Sequence, residues 1–346
     1  MGMSRALSGW YLIAFATLVP ALAYAEGNVT AFYRGKTVTI TNAFAEGGLY
    51  ANLARIITRH LPRHIPGQPN VVPQFMPGAA GLRQMNHLYN AAPKDGTVMG
   101  LMYDNIPITQ VLTSDSSVKF DTRRFSALGS LSRGEPGLVG VFKSTGIATI
   151  KDAMQKGAVF GSTGTTGAQY YIPLIMNRLF GTQFKLIPGF PTTPHIYLAM
   201  ERGEIDGVYG AIETIIENRP QWIAEKRFNW IAQLNDVREG EFASVPLLEE
   251  LAQAPVDKAV FRLLALARVP GKPVLLPPGV PAERVDALRQ AFASMLRDEA
   301  FVAEVAKTTQ KLEPRTWQDA ERVIRETIDT PPDVVAHARE LLNIAK

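Results

Sequence analysis

Two short stretches carry the residue types that grasp an anion. "AFAEGGLYANLAR" (43–55) sets Gly47 and Gly48 where a β-branched run, "KTVTI" (36–40), gives way to Leu53, Ile56, Ile57 and Leu61 at helical spacing. "AVFGSTGTTG" (158–167) makes the same change of register and adds the hydroxyls of Ser162, Thr163, Thr165 and Thr166. A strand–loop–helix corner offers unpaired backbone N–H groups and the positive end of a helix dipole. Glycine lets a ligand approach that backbone closely. Hydroxyls donate to carboxylate oxygens without bringing a charge of their own. A third glycine-rich turn, "MPGAAG" (76–81), follows the strand-like "NVVPQFM" (70–76). The competing explanation is that such turns merely turn and such hydroxyls merely cap; corners in comparable positions weigh toward binding.

Other chemistries lack their parts. Neither corner has the Lys of a phosphate-binding P-loop, and "GSTGTTG" has neither dinucleotide-fingerprint spacing nor a nucleophile elbow. His60 and His64 are four apart, but Pro62 interrupts the helix they would share. His87, His195 and His337 stand singly. Asp95, Asp104, Glu213 and Glu217 have no nucleophile or ligand cluster beside them and read as turn or solvent-face groups. No catalytic residue, metal or cofactor is therefore expected. Lys+Arg number 36 and Asp+Glu 32, a net charge of +4, with no basic run interleaved with aromatics, so nucleic acid is not an expected partner.

The elements around the corners define an architecture. Strand-like runs at 36–40, 70–76 and 92–103 alternate with helical ones at 47–61 and 82–92, which argues α/β with a parallel sheet. At 125–142 two strand-like runs are joined by "RGEPG", and a second α/β unit follows: a helix with a Thr149/Asp152 capping box, the strand into the 158–167 corner, the helix 168–181 with Pro173 in its first turn, and strands at 184–190, 205–210 and 228–234. Beyond about 245 stand one extended apolar run, 259–277, and helices at 281–297, 299–308, 316–328 and 333–345. Both corners fall at the carboxyl ends of strands, where open parallel sheets bind ligands.

The first 25 residues read as an export signal. Arg5 precedes an apolar run around 10–19, and small residues at 23–25 ("AYA") place cleavage after Ala25. The run is short for a membrane span. There is no cysteine, so neither a lipid anchor on a lipobox cysteine nor a disulfide is available. A periplasmic protein, monomeric, is expected.

The chain resembles the Bug family, the periplasmic substrate-binding proteins of tripartite tricarboxylate transporters. The resemblance rests on five motifs in order: "FAEGGLYANLAR" (44–55), "PGAAG" (77–81) with "AAPKDGTVMG" (91–100), "GSTGTTG" (161–167), "MERGEIDGVYG" (200–210) and "LPPGVPAERVDAL" (276–288). It implies an α/β fold of two lobes, a type II-like flytrap with the chain crossing the hinge twice. Lobe one would be 26–128 plus 246–346, and lobe two 129–245. The protein would capture a small organic carboxylate between the lobes and pass it to the membrane subunits of a tripartite transporter. Carried over, the ligand contacts are Phe44, Gly47, Gly48, Leu49 and Tyr50 from the first corner and Ser162, Thr163, Thr165 and Thr166 from the second. Met76, Pro77, Asp104, Phe190 and Tyr209 would come from neighbouring loop ends. The family's first-motif Asp is Ala51 here, which weakens the case for an amino-acid or hydroxylated ligand. Tyr50, Phe44, Phe190 and Tyr209 would suit an aromatic carboxylate. Two alternatives stand beside this reading: a ligand-sensing partner of a membrane sensor kinase, and an exported hydrolase or lyase on the same scaffold.

Overall fold

The computed structural model describes residues 28–344 except 47–48, 114–115, 135, 166, 239 and 309–310. The expected export signal (1–25) lies outside the described residues, as do Gly47, Gly48 and Thr166.

Ten strands form two five-stranded sheets. The first contains β1 (Thr37–Asn42), β2 (Asn70–Phe75), β3 (Val98–Leu101), β4 (Ser126–Ser130) and β10 (Pro273–Leu276), in the order β2-β1-β3-β10-β4. The second contains β5 (Gly137–Phe142), β6 (Ala158–Ser162), β7 (Phe184–Pro188), β8 (Gly207–Ala211) and β9 (Phe228–Leu234), in the order β7-β6-β8-β5-β9. Each is parallel on one side, β1 against β2 and β3, and β6 against β7 and β8. Each also takes strands running the other way: β10 is antiparallel to β3 and β4, and β5 to β8 and β9. The parallel expectation thus holds for β1 with β2 and β3, and for β6 with β7 and β8. The antiparallel ones are those that the chain enters from the other sheet.

Sequence patterning accounts for most elements. β1 is β-branched and buried from Val38 to Asn42 apart from Thr39, with helix Leu49–His60 burying Leu53, Ala54, Ile56 and Ile57 against it. The Thr149/Asp152 capping box forms as expected. Two expectations change. Pro173 lies inside helix Ala168–Phe180 rather than in its first turn. The apolar run 259–277 is not one element: it divides into helix Pro255–Leu266, a turn, and β10. The short helix Ile106–Leu112, which follows β3, was not anticipated.

Two segments carry the chain between sheets, 131–136 from β4 to β5 and 267–272 back to β10, and they run against each other. Leu131 N–H donates to the Lys272 carbonyl at 3.2 Å, and Lys272 N–H to Ser130 Oγ at 2.9 Å. Contact is close enough to require glycine twice. A Cβ on Gly134 would lie 1.7 Å from the Arg268 carbonyl oxygen, and one on Gly271, at φ +61°, would lie 1.9 Å from that of Ser132. The C-terminal hundred residues serve both sheets. Helix Ala282–Met295 packs in the first core with Ile40, Leu53 and Leu101, whereas helices Pro255–Leu266 and Pro332–Leu342 pack in the second with Val139, Phe160 and Ile175. No helix among the described residues is long and apolar enough to cross a membrane.

Candidate functional site

The first corner leaves the end of β1 at Asn42. Asn42 is fully buried; its Oδ1 accepts the Phe44 N–H at 3.0 Å, which fixes the turn, and its carbonyl accepts the Met76 N–H at 2.7 Å. Asn42 Nδ2 is buried and has no hydrogen-bond partner. Behind the turn three rings pack together. Phe44 and Tyr50 have centroids 4.8 Å apart, and Tyr103 meets them edge-on at 5.1 and 5.8 Å. The Asp104 backbone N–H is directed at the buried Tyr50 Oη, whose own proton finds no acceptor among the described residues. Leu49 and Met76 are half-buried beside this wall and Pro77 is exposed. The "PGAAG" turn folds under it: a Cβ on Gly81 would touch Ile106, Ala43 and Tyr103. Ala79 and Ala80 hold φ of 47° and 48°, in the left-handed region that costs a non-glycine residue about 1 kcal/mol or more each.

The second corner leaves the end of β6 at Ser162. That residue is buried, and its Oγ donates to the Gly164 carbonyl at 3.0 Å. Thr163 N–H and Oγ both reach Gln169 Oε1 at 3.4 Å, and Gln169 Nε2 donates to Thr193 Oγ1 at 3.2 Å. Thr165 is exposed, and Gly167 forms the N-cap of helix Ala168–Phe180. The Phe190 N–H donates to the Ser162 carbonyl at 3.2 Å, so the loop after β7 is tied to this corner. The Phe190 ring lies 3.2 Å from where a Cβ of Gly161 would stand. Tyr209, on β8, is 2% exposed and packs in the second core. Its Oη is another buried donor without a partner.

One cation links the two halves. Arg268, at the start of the return crossover, acts electrostatically on Asp104, Tyr50 and Tyr103 of the first half and on Tyr171 and Tyr209 of the second. Burial pushes all five groups up, and Arg268 pulls against it in each case. Asp104 is half-buried, and its carboxyl is held above the ordinary aspartate range by desolvation, with Arg268 and Lys272 opposing. Lys272 Nζ stands 5.7 Å from the centroid of the Tyr50 ring. Beside Arg268 opens a cavity of about 750 Å³ that takes in Thr165, Gly167, Tyr171 and Asn105.

Asn42, Tyr103, Tyr171, Arg268 and Lys272 were not anticipated from the sequence. Asn42 did carry a signal, as a polar residue closing a β-branched strand just before a glycine corner. Arg268 did too, as a cation inside an apolar run. Among the described residues no group of three or more His, Cys, Asp or Glu is placed to hold a metal ion.

The fold is matched in solved structures. A TctC solute binding protein from Polaromonas, without ligand, superposes with a TM-score of 0.69 at 16% identity, over 90% of this chain and 100% of that one. The chain folds as the TctC and Bug solute-binding proteins do. The periplasmic binding protein BugD gives a TM-score of 0.54 at 16% identity, over 89% of this chain and 98% of its own. An R. palustris protein solved with adipate gives 0.56 at 18% identity, over 90% and 98%. No protein-family model and no curated protein matches the chain. At these identities the TctC/Bug likeness is one of fold.

Proposed function

We propose that this protein is an exported, periplasmic, monomeric solute receptor. It closes on a small organic carboxylate and hands it to the membrane subunits of a tripartite tricarboxylate-type transporter, without chemistry and without a cofactor. The observation that carries the reading is a set of buried donor protons that no described residue accepts: those of Asn42 Nδ2 at the end of β1, Tyr50 Oη and Tyr209 Oη. An unsatisfied buried donor costs about 1–3 kcal/mol. Donors from both sheets, two of them within the field of Arg268, suit an acceptor-rich anion. The fold supports the reading, since its solved relatives are described as solute-binding proteins and one was solved with adipate. The Phe44–Tyr50–Tyr103 wall offers a ring face to an aromatic acid.

In this account the backbones at Phe44, Gly47, Gly48 and Leu49 hold one side of the carboxylate. Ser162, Thr163, Thr165 and Thr166 hold the other. The expected lobes, 26–128 with 246–346 and 129–245, are opposing bodies that close about the paired crossovers. Ligand contacts to both bodies stabilise the closed state and shift the population toward it. The test is thermal unfolding of the purified protein against mono-, di- and tricarboxylates, aliphatic and aromatic, with amino acids and sugars as controls. A ligand at 100 times its Kd adds about 2.7 kcal/mol. A shift with a carboxylate group supports the receptor reading; a shift confined to a control compound overturns it.

A further inference from the structure

One acid stands among the cations near the first corner. Asp104 comes three residues after β3, and its backbone N–H is directed at Tyr50 Oη, in the ring wall of that corner. Its neighbour Asn105 donates from Nδ2 to Tyr103 Oη at 2.9 Å and lines the same cavity as Arg268. Lys272 Nζ lies 5.7 Å from the centroid of the Tyr50 ring. Asp104, Arg268 and Lys272 are thus gathered around one pair of tyrosines, Tyr50 and Tyr103.

That gathering sets a charge balance. Among the described residues, Arg268 and Lys272 are the cations that act on Asp104. The remaining groups in the field of Arg268 are phenols, those of Tyr50, Tyr103, Tyr171 and Tyr209. Burial keeps their protons on, so they bring no charge. Two cations and one carboxyl leave a single positive charge, which one carboxylate balances. A second carboxylate meets either the repulsion of an ionised Asp104 or the cost of protonating it at neutral pH. That repulsion is not small, because like charges interact several times more strongly at the effective dielectric of a protein than in water.

We propose that Asp104 sets the charge class of the ligand, so that the receptor takes small acids with one carboxylate and rejects those with two. The proposal rests on the receptor reading and narrows its substrate class. The single carboxylate binds between the corners in the field of Arg268, and the other end of the ligand is uncharged.

Titration calorimetry at neutral pH gives dissociation constants for matched pairs: butyrate with succinate, hexanoate with adipate, and benzoate with phthalate. Each pair is measured on the wild-type protein, on Asp104→Asn and on Asp104→Ser. On the wild type, the monocarboxylate of the tightest-binding pair is expected to bind at least about tenfold more tightly than its dicarboxylate. In Asp104→Asn that ratio should fall by about tenfold, because the amide keeps the shape of the side chain and removes its charge. Asp104→Ser gives the same reading should Asp104→Asn not fold. Two results overturn the proposal and leave the receptor intact: a dicarboxylate that binds the wild type as tightly as its matched monocarboxylate, or a ratio that stays the same in both variants. If no mono- or dicarboxylate binds, the receptor reading itself fails, and the narrower class fails with it.

Discussion

The two corners look alike in sequence and differ in how their polar groups are engaged. At the second corner the hydroxyls already serve the loop: Ser162 Oγ donates to Gly164, and Thr163 and Gln169 hold each other and Thr193. At the first corner Asn42 uses its oxygen to set the turn, and among the described residues nothing accepts from its buried NH₂ or from the Tyr50 hydroxyl proton. One corner is a finished loop whose outer rim, at Thr165, lines the cavity beside Arg268. The other holds donors that no described residue satisfies. The lesson is that a hydroxyl-rich motif is not by itself the stronger half of a binding site, because short polar side chains readily engage their own backbone. The stronger half is expected where folding has left donors unpaired.

Substitutions can break or sharpen this contrast. The largest effect is expected from Asn42→Asp. It keeps the oxygen that accepts the Phe44 N–H and replaces the unpaired donor with negative charge. Hydrogen bonds to charged groups are worth about 1.5–3 kcal/mol, so titration calorimetry with a bound acid should show a loss of at least about tenfold. Ser162→Ala combined with Thr166→Val comes next. Because Ser162 is engaged within its loop, about 1 kcal/mol of binding, roughly fivefold, is expected, with the fold intact by circular dichroism. Tyr50→Phe should weaken binding by a smaller factor in the same titration, since it removes a hydroxyl proton that no described residue accepts. Binding unchanged from wild type would show that this proton does not reach the ligand.

The smallest effect concerns Asp104. Its folded-state carboxyl binds its proton more tightly than an ordinary aspartate does. The folded state therefore carries more protons than the unfolded one in the window above the ordinary aspartate value, and stability falls there as pH rises. Asp104→Asn is expected to raise the melting temperature slightly at neutral pH. The difference should vanish once the pH lies below the ordinary aspartate range, where both states hold the proton. Melting curves of the two proteins across pH 3–7 check the sign.

The strands and helices that flank the two corners were legible in the sequence. β-branched runs ending in glycine and followed by helical spacing announced both corners, because period and backbone freedom are local properties. The same locality explains what was missed. Arg268 meets Tyr50, Asp104 and Tyr209 only because two crossovers lie back to back, and nothing near 268 in the chain encodes that meeting. The run 259–277 read as a single element because helix and strand there are equally apolar; the break depends on Gly271 passing against the Ser132 carbonyl, a contact with a distant segment. Tyr209, expected at a loop end, lies within β8 and is 2% exposed, a placement that burial decides and residue type does not.

The most direct test of the central claim is a comparison of two dissociation constants, for the same acid on Asn42→Asp and on Ser162→Ala. Unpaired donors at the first corner predict that the Asn42→Asp protein binds far more weakly than wild type, by tenfold or more, and more weakly than the Ser162→Ala protein. An Asn42→Asp protein that binds the acid as tightly as wild type would contradict the account.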